Sequence, residues 1–94
     1  MKIAGLFWLH DVVNKLTVKH QVEIYEVEEI FTNRPKIRFM EKGERPGEDV
    51  YIGLGKTDAG RYLAVLFIYK INRQALILSA RNMANKERKS YARK

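Results

Sequence analysis

Nine side chains in this 94-residue chain could act on a phosphate, and all are cationic or phenolic. They are His20, Arg61, Arg81, Arg88 and Tyr91, with Lys19, Lys56, Lys86 and Lys89 around them. Such a set suits the cleavage of RNA, because RNA carries its own nucleophile, the 2′-hydroxyl beside the phosphate. The protein then needs one group to accept that proton and another to protonate the leaving 5′-oxygen. It also needs cations to stabilise the charge that builds on the phosphorane. Acid–base groups contribute roughly 10²–10⁴-fold, and oriented cations a comparable or larger factor. This chemistry calls for no metal and no other cofactor. His20 and Tyr91 are the candidates for moving protons, and Arg61 and Arg81 for binding the scissile phosphate. Lys19, Lys56, Lys86, Arg88 and Lys89 are the candidates for holding RNA around it.

Each of these residues also has a plainer reading. Arg81 could only pair with a carboxylate such as Glu87. Arg61, beside Gly60, could be a solvated turn residue. Tyr91 comes seven residues after Ala84 and could pack its ring under the last helix. His20 could stabilise a helix end through the dipole. Trp8 and Phe39 read as core residues rather than base-stacking platforms.

Signatures of other chemistries are missing. Gly53-Leu54-Gly55 has neither the later glycine nor the following helix of a phosphate-binding loop. No serine sits in a nucleophile elbow. His10 and His20 are too few and too far apart for a helical metal pair. Glu23, Glu26, Glu28 and Glu29 lack metal-ligand spacing and read as one exposed helix face.

Charge placement narrows the partner class. The net charge is +7. From Lys70 onward there are eight basic residues and one acid, Glu87, so the rest of the chain sums to neutral. A basic end on a small domain suggests a polyanion, most often nucleic acid; a solvated C-terminal helix is the bland alternative. With no cysteine, disulfides and thiolate zinc sites are excluded, which fits a reducing cytosol. The N-terminal apolar run is too short for a signal peptide. No stretch approaches the ~20 apolar residues of a membrane span. The expectation is a soluble, cytoplasmic protein with no membrane partner.

The elements that must position these residues follow from periodicity. Ninety-four residues make one small domain, 1–94, with one modest core. Lys2 to Trp8 reads as a strand. Leu9, Val12, Val13 and Leu16 recur at helical spacing, with a break near Lys19-His20-Gln21. A second helix is expected from about Glu23 to Phe31, its apolar face made of Ile24, Val27, Ile30 and Phe31. Asn33-Arg34-Pro35 ends it. Ile37 and Phe39 alternate with Lys36 and Arg38, as in a half-exposed strand. Val50–Leu54 is the next strand, and Thr57–Gly60 a hairpin turn. Tyr62–Tyr69 is apolar throughout and reads as a central strand covered on both faces. Leu76–Leu78 is read as the last strand and Ala84 to about Ala92 as the last helix. Arg81 then falls at the strand–helix junction, with Asn82 able to cap the helix, a position suited to phosphate. The class is α+β, with a small antiparallel sheet of about four to five strands, two N-terminal helices and one C-terminal helix.

Three segments carry a resemblance. Tyr51–Leu63 (YIGLGKTDAGRYL), followed by Ile77–Met83 (ILSARNM) and Lys86–Tyr91 (KERKSY), resembles the BrnT family of type II toxins. Trp8, Lys19-His20 and Val27-Glu28-Glu29-Ile30-Phe31 fit the same pattern, so the likeness covers nearly the whole chain. It implies a RelE-like fold and cleavage of RNA that arrests translation. It also implies a cognate DNA-binding antitoxin, of ribbon-helix-helix type, through which alone the toxin would meet operator DNA. Lys19, His20, Arg61, Arg81, Arg88 and Tyr91 fall on the family's polar positions. Two departures stand out: Gln21 where members usually have glycine, and Leu9 where an acidic residue is common. Read from residues alone, the chain is a ribonuclease, a non-catalytic basic module that binds RNA or an acidic partner, or a structural subunit of a larger complex that docks through its last helix.

Overall fold

Tyr62–Tyr69, the longest apolar run, occupies the middle of a five-stranded sheet. The structure is a computed structural model and describes residues 1–93. Its elements are β1 (Gly5–Trp8), α1 (His10–Lys15), a π-helical turn (Leu16–His20), α2 (Ile24–Thr32), β2 (Lys36–Glu41), β3 (Val50–Lys56), β4 (Tyr62–Tyr69), β5 (Gln74–Asn82) and α3 (Asn85–Ala92). The strand order is β1-β5-β4-β3-β2. The four later strands pair antiparallel, as short turns require. β1 departs from that pattern: it runs parallel to β5 along the outer edge, from Gly5 opposite Gln74 to Trp8 opposite Ile77.

Side chains alternate across a strand, so β4 serves two cores. Leu63, Val65 and Phe67 are fully buried against Leu16 of the π-helical turn, Val27 and Ile30 of α2, and Val22 of the connection between them. Each such side chain contributes about 1.5–3 kcal/mol when buried. On the other face Ala64 joins Ile52, Leu54 and Met83 in a smaller cluster, with Tyr62, Leu66 and Tyr91 packed on it. The cover there comes from α3 and is partial: Leu66 and Ile68 remain half-buried.

Close packing explains two local choices. Gly55 lets α2 lie directly on β3, since a Cβ there would come within 2.7 Å of Ile30 Cγ2. Gln21 closes the π-helical turn in the left-handed conformation (φ 53°), and its N–H donates to the Leu16 carbonyl. A glutamine thus adopts the geometry that usually falls to glycine.

Several expectations need correction. β5 does not stop at Leu78: it continues to Asn82, because Ser79–Asn82 keep pairing with Leu63–Leu66 of β4. Arg81 is therefore a strand residue, and the helix begins three residues after Asn82. The N-cap of α3 is Ala84, not Asn82, and it has no side-chain acceptor. Ile24 is exposed rather than core. So is Phe39, which stands edge-on to Tyr51 at 5.9 Å on the outermost strand. Glu26 and Glu29 are half-buried and bonded, not part of a solvated face.

Candidate nucleic-acid interface

Arg81 and Asn82 are consecutive in β5, so their side chains leave opposite faces of the sheet. Arg81 pairs across with Ala64, on the α3 side, and Asn82 with Leu63, on the side of α1 and α2. The candidate residues divide along the same line.

On the α3 side, Arg81 forms a two-pronged ion pair with Glu87. Nη1 donates to Oε1 at 2.6 Å and Nη2 to Oε2 at 2.8 Å. Nη1 also donates to the Asn82 carbonyl at 3.2 Å. Glu87 Oε1 accepts the Ala84 N–H at 2.7 Å, so the same carboxylate replaces the side-chain cap that Ala84 lacks. The Arg81 hydrogen bond holds the Glu87 carboxyl below the usual carboxylate range. Burial opposes this, and the Ala84 N–H and the Arg81 charge add to it. Glu87 in turn raises the Arg81 guanidinium further, against a smaller desolvation effect. Among the described residues nothing bonds Arg81 Nε, and the side chain is 41% exposed.

Beside this fork is a layer of aromatic rings and cations. The Arg88 guanidinium lies 4.2 Å from the Tyr62 ring centroid and Lys56 Nζ lies 5.4 Å from it. Tyr91 meets Tyr62 edge-on at 6.0 Å, and Lys36 Nζ lies 5.9 Å from the Tyr91 ring. Lys36 also donates to the Ser90 and Arg93 carbonyls, where the C-terminus of α3 leaves acceptors unpaired. Lys86 and Lys89 project into solvent from the same helix. This face thus gathers Lys56, Arg81, Lys86, Arg88, Lys89 and Tyr91.

His20, Lys19 and Arg61 lie on the other side. Arg61 gives four groups a common anchor. Nε donates to Asn82 Oδ1 at 2.9 Å, and Nη1 donates to the Gln21 carbonyl at 2.7 Å and to Glu26 at 3.0 Å. Nη2 donates to the His20 carbonyl at 3.2 Å. Glu26 Oε1 accepts the Glu23 N–H as well, at the start of α2. Most of the guanidinium donors are therefore used inside the protein. His20 is half-buried at the end of the π-helical turn, held by its main chain, and Lys19 beside it is exposed. Among the described residues no group of three or more His, Cys, Asp or Glu side chains could hold a metal ion, and no helix is long and apolar enough to cross a membrane.

The decisive comparison is with a family of ribonuclease toxins, BrnT, of type II toxin–antitoxin systems, whose sequence model matches residues 10–87. The chain belongs to the BrnT toxin family. Its fold is similar to that of the Brucella abortus ribonuclease toxin BrnT, known from a crystal structure at 1.1 Å resolution. The two share a TM-score of 0.61 at 13% identity, over 89% of this chain and 100% of that one. No curated protein matches the chain in sequence.

Reading the sequence of this BrnT-family chain missed four contributors. Glu26 and Asn82 anchor Arg61, and Tyr62 and Lys36 build the aromatic layer. Tyr62 had a signal, its place next to Arg61 on an apolar strand. Asn82 had none, because its partner is 21 positions away.

Proposed function

We propose that this BrnT-family chain is a metal-independent endoribonuclease that arrests translation, acting in the cytoplasm. The observation that carries the reading is the Arg81–Glu87 fork. It fixes a guanidinium on the basic face while its Nε edge stays open for a phosphate. In the reaction the 2′-oxygen attacks phosphorus and loses its proton to a base. The bond from phosphorus to the 5′-oxygen then breaks and that oxygen is protonated. The products are a 2′,3′-cyclic phosphate and a 5′-hydroxyl. Arg81 stabilises the charge on the phosphorane, and Tyr91, on the same face of the sheet, is the first candidate for proton transfer. Arg61 acts by positioning: through the His20 carbonyl and Asn82 it ties His20 to the end of β5. His20 is the second candidate for proton transfer. Lys56, Lys86, Arg88 and Lys89 hold the flanking RNA, with exposed Lys19 on the far side. The protein partner is an antitoxin of the DNA-binding ribbon-helix-helix type, and operator DNA is met only through it.

One observation favours a second reading. Arg61 and Arg81 both already face carboxylates. A basic face whose two best arginines are neutralised could bind RNA or an acidic antitoxin without cleaving. Purified chain incubated with single-stranded RNA and a chelator separates the two readings. Cleavage leaving cyclic phosphate ends, abolished in a folded Arg81→Ala variant, is the expected result. Binding without cleavage would leave the second reading, and cleavage that stops on adding chelator would remove metal independence.

A further inference from the structure

Between β2, β3 and α3 lies a slot of about 200 Å³. Its floor is Ile52 and Leu54, both buried, and Met40 stands half-exposed at its mouth. Arg38, the cross-strand partner of Ile52, is exposed at one rim. Lys86, Glu87 and Ser90 form the helix wall. Lys86 and Ser90 are one turn apart and so share a helix face. Ser90 Oγ is buried with no hydrogen-bond partner among the described residues, an arrangement proteins usually avoid.

We infer that this slot receives a single nucleobase of the bound RNA, an inference that rests on the ribonuclease reading. Its volume falls below the roughly 300–1,000 Å³ of a drug-sized site and suits one ring system. Apolar walls and a polarizable thioether accept the face of an aromatic ring. The Ser90 hydroxyl can donate or accept toward a base edge once its χ1 turns toward the slot. Arg38 and Lys86 place cations at both rims, where the phosphates flanking a base would lie. Glu87 belongs both to the slot and to the Arg81 fork, which makes base site and phosphate site neighbours. Single-stranded RNA is read in this way, with a base splayed out of its stack into a pocket. An apolar side chain of a protein partner would fill the same space, but it would leave both rim cations without a counterpart.

The test uses ¹⁵N- and methyl-labelled protein titrated separately with AMP, CMP, GMP, UMP and inorganic phosphate. None of these can be cleaved. The expected result is that one or two of the nucleotides shift the Ser90 and Ile52 amides and the Met40 methyl, while inorganic phosphate shifts signals only near Arg81 and Arg88. Met40→Ala, at an exposed position, should weaken the preferred nucleotide about 5-fold or more. Identical shifts from all four nucleotides and phosphate would overturn the inference. So would slot signals that ignore every nucleotide and move only when a co-expressed protein partner binds. Nucleotide in the slot of a chain that cuts no RNA would sink the ribonuclease reading and leave the slot standing. An unresponsive slot in a chain that does cut RNA would do the reverse.

Discussion

Arg61 and Arg81 make the same contact on opposite sides of the sheet. Each reaches from a β-strand or its approach to the glutamate at the third position of a helix, Glu26 of α2 and Glu87 of α3. Each glutamate also accepts the backbone N–H of the residue before its helix, Glu23 and Ala84. One ion pair thus does two things: it starts a helix and it fastens that helix to the sheet. The difference lies in what is left over, since Arg61 is nearly saturated and Arg81 keeps Nε free among the described residues.

Arg61→Ala should therefore cost stability as well as activity. It removes hydrogen bonds to four groups and leaves Glu26, whose side chain is 12% exposed, without its cation. A loss of about 2–3 kcal/mol is expected from charged hydrogen bonds of this kind. Arg61→Lys should recover little of it, because an ammonium cannot span His20, Gln21, Glu26 and Asn82 at once. Urea unfolding of the three proteins measures both effects; a wild-type midpoint for Arg61→Ala would refute the anchoring role.

Acid should weaken the attachment of α3. The Glu87 carboxyl sits below its ordinary value in the folded chain, chiefly through the Arg81 hydrogen bond. A depressed folded value means the stabilisation is complete above the unfolded value of about 4.3 and is lost as pH falls through the folded one. Glu87→Gln should be less stable than wild type at neutral pH, and the gap should narrow below about pH 4. A gap that stays constant from pH 7 to pH 3 would contradict this.

The two departures from the family pattern predict stabilising changes. Leu9 is the N-cap of α1, with an extended backbone and no side-chain acceptor. Leu9→Asp supplies one and should add about 0.5–2 kcal/mol. Gln21→Gly removes a side chain from a left-handed position and should be neutral or stabilising by up to about 1 kcal/mol. Thermal melts read both, and a lower melting temperature for Leu9→Asp would show that another group already serves that cap.

RNA binding should respond to salt in proportion to the cations removed. For single strands, the slope of log K against log salt falls by about 0.7 for each phosphate the protein no longer neutralises. Lys89→Ala, at an exposed position on α3, should reduce the slope by about that amount and leave the fold intact. Arg88→Ala should cost more affinity than Lys89→Ala, because it also removes the cation stacked on Tyr62. Equal reductions in affinity for the two variants would argue against the stacked layer as part of the interface.

Much of the fold was legible because its signals are local. The apolar run of β4, the helical spacing of Val27 and Ile30, and the stop at Asn33-Arg34-Pro35 all act over a few residues. The partner of β1 was not legible, since a four-residue strand carries no sign of which distant edge it joins. The end of β5 was misplaced because Ser79–Asn82 are mostly polar, and their pairing comes from β4 rather than from their own hydrophobicity. The candidate residues could be picked out by chemical type, but their arrangement could not. Alternation along β5 sends Arg81 and Asn82 to different faces, and that split the set. The bonds of Arg61 to His20, Gln21, Glu26 and Asn82 join positions 21 to 41 apart, beyond the reach of any local pattern.

The parallel pairing of β1 with β5 also sets the order of events during synthesis. The first strand emerges early, yet its only neighbour in the sheet begins at Gln74. Until that segment has left the ribosome, the N-terminal strand has nowhere to dock, and Arg81 and Asn82 do not yet exist to anchor anything. Closing so long a loop comes late and slowly. The N-terminal strand, the Arg81–Glu87 pair and the Asn82 anchor of Arg61 therefore come into place together, once β5 and the start of α3 have been made.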